Sequence, residues 1–117
     1  MSSINNLIMF QKFYDLMVYS IPIINRFPKS QKFVLGQQIQ NCMIDISKMI
    51  VQANKFGDKH RLNNLYYIDV ELEKLRMLIR LATDLGLMSR EKYGNHSEKL
   101  VEIGRILGGW IKTTKGV

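Results

Sequence analysis

The sequence predicts an all-α protein, an antiparallel four-helix bundle of up-down-up-down topology. Three observations predict it. Apolar residues recur at alternating steps of three and four along nearly the whole chain, runs alternating polar and apolar at period two are missing, and the breaks between periodic segments are short. At 117 residues the chain has room for one core, so residues 1–117 form one domain. Apolar residues make up 46% and charged residues 23%, the balance of a folded globular chain. Only the first few residues and the tail Thr113 to Val117 read as disordered.

In the first helix, Leu7, Phe10, Tyr14, Met17, Ile21 and Ile24 form one apolar line, and Met9, Phe13, Leu16, Ser20, Ile23 and Phe27 form a second beside it. Two such lines exceed what one packing seam needs. Pro22 removes one backbone hydrogen bond late in this helix and is expected to bend it.

"RFPKSQ" (Arg26 to Gln31) interrupts the pattern, because the residue before a proline avoids helical geometry, and Pro28 suits the first turn of a second helix. The seam of that helix is Leu35, Ile39, Cys42, Ile46, Met49 and Ala53, flanked by Met43 and Ile50, and it stops near Gly57. Leu65, Ile68, Leu72, Leu75, Ile79 and Ala82 give the third helix, ended by Gly86. Ser89 caps a fourth, whose seam is Tyr93, His96, Leu100, Ile103, Leu107 and Trp110.

The fourth helix carries Gly104, Gly108 and Gly109, each costing about 1 kcal/mol relative to alanine in a helix interior. Gly104 and Gly108 lie with Val101 and Ile111 on a small apolar line one step around from the seam, and such a line admits a close neighbour. One reading is a subunit interface formed by Val101, Gly104, Gly108 and Ile111. The other is that the glycines admit Trp110 or an aromatic ring of the first helix within the same chain. Together with the doubled apolar face of the first helix, the line points to a cyclic homo-oligomer.

Lys and Arg total 17 against 10 acidic residues, a net charge of +7 that favours polyanionic partners, nucleic acid first. The up-down topology gathers Lys55, Lys59, Arg61, Lys112 and Lys115 against Asp58 at one end, and Arg26, Lys29, Lys32, Arg90 and Lys92 against Asp84 and Glu91 at the other. Either end holds RNA or DNA through phosphates, with little base reading. Arg76 and Arg80 flank the third seam. Their planar forks suit a phosphate or an acidic patch on a partner, and Glu73 is in position to neutralise Arg76. Arg105 is placed to pair with Glu98 or Glu102 or to hold a subunit contact. Tyr66 and Tyr67 stand near the first end, to stack on a base or to complete a core or interface.

Catalytic and metal-binding groupings are missing. His60 and His96 have no ligand spacing, no Glu-x-x-His pair exists, and no glycine-rich loop follows a strand. The reading is therefore a non-enzyme with no cofactor and no small-molecule substrate. Cys42 is alone, which excludes an intrachain disulfide and fits a reducing cytoplasm. It lies on a seam, where a small buried apolar role suits it. The longest apolar run, Leu16 to Ile24, is shorter than a membrane span and contains Ser20 and Pro22, and no secretory leader stands at the start.

"FPKSQKFVLGQQIQ" (Phe27 to Gln40), "LEKLRMLIRLATDLGLMS" (Leu72 to Ser89) and "EIGRILGGWIK" (Glu102 to Lys112) together resemble the four-helix-bundle family of the accessory variability determinant of diversity-generating retroelements. The resemblance covers nearly the whole chain, and the last motif is the most specific. It implies a homopentameric barrel of bundles that catalyses nothing, binds nucleic acid and associates with the retroelement's reverse transcriptase, which copies a template RNA with errors at adenines. Arg76 and Arg80 match the paired arginines of the family's leucine-arginine helix. A sister branch, encoded in intervening sequences of bacterial ribosomal RNA genes, shares the bundle and the "FPKSQ"-like turn. Trp110 and "LRMLIR" favour the retroelement branch.

Overall fold

A computed structural model of the chain describes residues 3–116 and contains helices only among them. Four long helices, α1 (Ser3–Ile24), α3 (Leu35–Lys55), α4 (Asp58–Asp84) and α5 (Arg90–Lys115), pack with one short helix, α2 (Lys29–Lys32), in a body of 45 × 23 × 19 Å. Contacts run around a ring, α1 to α3, α3 to α4, α4 to α5 and α5 to α1, so α1 and α4 stand on a diagonal.

The third and fourth seams are buried as the periodicity predicts. All six residues of the α4 line have at most 1% exposure, and α5 buries His96, Leu100, Ile103, Leu107 and Trp110, with Tyr93 partly covered. Cys42 is buried, and desolvation pushes its thiol up to about 11, consistent with an inert core position. His96 is also buried. Its Nδ1 lies 2.7 Å from the Lys92 carbonyl, which only accepts, so Nδ1 carries the proton and Nε2 accepts from Ser20 Oγ at 2.8 Å. The sequence assigned Ser20 to an apolar line without a partner; the structure supplies one from 76 positions away.

Two expectations are corrected. The second helix does not run unbroken from Pro28. Pro28 starts the single turn α2, where Lys32 N–H donates to its carbonyl at 2.8 Å, and the chain then breaks at Val34 (φ −113°, ψ −86°) before α3. The break re-aims the backbone so that Gly36 seats against α1. A Cβ there would lie 3.0 Å from Ile24 Cγ2, which is why the position is bare. The tail is ordered farther than composition indicates, because α5 continues through Thr113 to Lys115 and closes on Gly116 at φ 82°. By length and composition alone the wider window Leu7–Ile24 is apolar enough to cross a membrane, while the unbroken run inside it is too short, as the sequence indicates. In the bundle its Met9, Phe13, Leu16, Ser20 and Ile23 line enters the core.

Candidate nucleic-acid interface

The topology brings the C-terminus of α3, the N-terminus of α4 and the C-terminus of α5 to one end. Lys55 stands in the last turn of α3, and Lys112 and Lys115 in that of α5, where positive charge opposes the partial negative charge of a helix C-terminus. Those three and Lys59 are exposed and point charge outward.

Arg61 belongs to the same end but faces inward. Its Nε donates to the Ala53 carbonyl at 2.7 Å and its Nη2 to the Phe56 carbonyl at 2.8 Å, so its fork satisfies backbone acceptors left over at the end of α3. Sequence charge alone counted it with the lysines; only the closeness of the α3–α4 turn shows that it is a capping residue. Tyr66 and Tyr67, the first turns beyond, are exposed rather than part of the core.

Arg76 and Arg80 are one helical turn apart on α4, and their surroundings differ. Arg76 pairs with Glu73 and donates from Nη2 to the Leu100 carbonyl of α5 at 3.2 Å. Its guanidinium crosses α5 over Gly104, where a Cβ would sit 2.8 Å from Nη2. The close neighbour of Gly104 is thus within the chain, and it is neither Trp110 nor a ring of α1. Nothing lies within 4 Å of the positions a Cβ would take at Gly108 or Gly109. Val101, on the same line, is exposed, and Ile111 is half-buried.

Arg80, by contrast, has a side chain 73% exposed, with only Asp84 opposite its Nε at 3.8 Å. It borders a cleft with Thr83, Asp84, Met88, Arg90 and Tyr93, at the end away from Lys55, Lys59, Lys112 and Lys115. The pairing anticipated for Arg105 does not form with Glu102, which reaches Lys12 of α1 at 3.3 Å instead. Among the described residues no cluster of three His, Cys, Asp or Glu could hold a metal ion.

Fold and surface define the class first: a four-helix bundle with cationic ends. The family model for bAvd-like proteins matches residues 7–114, and the chain belongs to that family. The family is one of accessory, non-catalytic proteins. No curated protein matches the chain.

Proposed function

We propose that this chain is a nucleic-acid-binding accessory protein of a diversity-generating retroelement, which joins the element's reverse transcriptase and its RNA or cDNA to support mutagenic copying. The observation that carries the reading is family membership across residues 7–114. The outward lysines Lys55, Lys59, Lys112 and Lys115 support phosphate binding, a sequence-independent interaction that weakens steeply with salt.

Self-association is the second part of the proposal. One outer stripe, Leu7, Phe10, Tyr14 and Val18, lies exposed on α1, and another, Tyr66, Val70, Met77 and Leu81, lies exposed on α4 and continues to Leu85 at its C-cap. A contact between the α1 stripe of one copy and the α4 stripe of the next joins two different surfaces and is heterologous, and such contacts form a ring when the rotation between copies closes. A pentamer is the expected closure, with the Val101, Gly108 and Ile111 line available as a further contact. A ring repeats the cationic ends and concentrates their field.

The test is co-purification with the reverse transcriptase encoded beside it, together with sedimentation and RNA binding across a salt series. Salt-sensitive RNA retention by an oligomer supports the proposal. A lone protomer that binds no RNA at low salt overturns it. An oligomer that binds protein alone points instead to a scaffold.

A further inference from the structure

The cleft between the end of α4 and the start of α5 has a volume of about 630 Å³ and is bordered by Arg80, Thr83, Asp84, Met88, Arg90 and Tyr93. That is the size range of small-ligand sites, about 300–1,000 Å³. Its frame is built from local structure. Gly86 at φ 78° ends α4, with Leu87 N–H donating to the Ala82 carbonyl at 2.8 Å and Gly86 N–H to Thr83 at 3.0 Å. Met88 is buried and pins the turn to the core. Ser89 Oγ accepts from Lys92 N–H at 3.2 Å and sets the first turn of α5, which carries Arg90 and, one turn on, Tyr93.

The side chains at this frame are of three kinds. Arg80 stands 3.8 Å from Asp84, beyond the 2.7–2.9 Å or so of a charge-assisted hydrogen bond, so its fork is open to another acceptor. Arg90 is exposed and has no ion pair with another described residue. Tyr93 is partly buried against the core, which holds its ring at the wall at little entropic cost. Two cations, a fixed aromatic face and one carboxylate around a concavity match the parts of a nucleotide: phosphates, a base plane and the amino or imino donors of a base edge.

We propose that this cleft takes one unpaired nucleotide of a single-stranded nucleic acid, its base against Tyr93 and its adjoining phosphates at Arg80 and Arg90, with Asp84 accepting from the base edge. A duplex keeps its bases stacked and cannot enter, so the cleft distinguishes single strands from duplexes, while the lysines at the opposite end treat both alike. The inference rests on the nucleic-acid-binding reading above and deepens it.

The test is fluorescence anisotropy of the full chain with a labelled single-stranded RNA of about ten nucleotides, the length of a typical single-strand site, and with the matching duplex. Tyr93→Leu weakens single-strand binding about tenfold, as loss of one stacked base requires, and leaves duplex binding unchanged. The exposed pair Arg80→Ala and Arg90→Ala, which does not touch the core, lowers the salt slope for the single strand by roughly 1.4. Lys55→Ala with Lys59→Ala weakens both forms. Unchanged single-strand affinity in both cleft variants overturns the cleft and leaves the proposed function standing. A wild-type chain that binds neither form at low salt overturns both. Displacement of the RNA from the cleft by a polyglutamate peptide, lost in the arginine variant, reassigns the cleft to an acidic protein and overturns the nucleotide.

Discussion

The two apolar lines of α1 have almost the same composition and opposite surroundings. On the inner line Phe13 is 1% exposed, while on the outer line Phe10 is 52% exposed and stacks only on Tyr14, with ring centroids 6.2 Å apart. The inner line faces the core that α3, α4 and α5 share, and the outer line flanks a shallow groove against Ser47 and Val51 of α3. An aromatic residue on a helix therefore has no fixed worth. Its contribution depends on how many neighbouring helices reach it.

The largest expected effect comes from exchanging members of that pair. Phe13→Ala costs about 3–5 kcal/mol, because the cavity it leaves is enclosed. Phe10→Ala changes monomer stability by no more than about 0.5 kcal/mol. Denaturant melts measure both, and sedimentation of Phe10→Ala separately reads whether the outer line holds a second copy. Equal costs for the two would show that the outer line is covered in the folded monomer.

The outer line is not exposed along its full length. Ile24 is buried at its end because Gly36 of α3 closes over it. Gly36→Val forces a branched side chain toward Ile24 Cγ2 and the Gln31 carbonyl, and costs about 1–3 kcal/mol by overpacking. A fully stable Gly36→Val chain would mean that α2 yields and the closure is loose.

Ser20 sharpens the comparison from the inner side, since it is a polar residue in an apolar line that is tolerated through His96. Ser20→Ala leaves His96 Nε2 without a partner and costs about 1–3 kcal/mol. Burial holds the His96 pKa below its ordinary 6.5, against the opposing effect of the hydrogen bond to Lys92 and with a smaller push from Lys99. The unfolded chain therefore binds more protons than the folded one in this range. The His96 contribution to stability is intact above about pH 6.5 and is lost as the pH falls below that value. Melts from pH 8 to pH 5 show the decline, and His96→Phe flattens it.

The smallest effect is expected at Gly104. Gly104→Ala gains up to about 1 kcal/mol of helix propensity, offset by moving the flexible tip of Arg76 off the Leu100 carbonyl. The net change is near zero. An unchanged oligomer in Gly104→Leu assigns this glycine to Arg76 alone, whereas loss of assembly restores it to the subunit interface.

Helix order, the α4 and α5 seams, the Ser89 cap and the Gly86 stop were all legible in the sequence, because each rests on local spacing or on the backbone preference of one residue. The break at Val34 was not, since it goes with the close approach of Gly36 to Ile24, a contact between separate helices. The candidate site divides the same way. The end cluster follows from topology, and the exposed lysines are where the charge count places them. Arg61 and Arg76 carry the same charge but are turned to carbonyls at Ala53, Phe56 and Leu100. The cleft joins Arg80, on the flank of the α4 seam, to Arg90, at the start of α5, which nothing in their local spacing brings together.

The sequence alone determined the all-helical class, the family and the excess of positive charge, since periodicity, motif and composition are properties of the chain as written. Tertiary structure alone decided which apolar line of α1 is core, which side chain lies over Gly104 and which arginines are turned to backbone carbonyls. Those outcomes turn on contacts between segments distant in the chain. A side chain's free energy there is set by the carbonyl or ring that packing brings within a few ångströms, and local spacing carries no record of that neighbour.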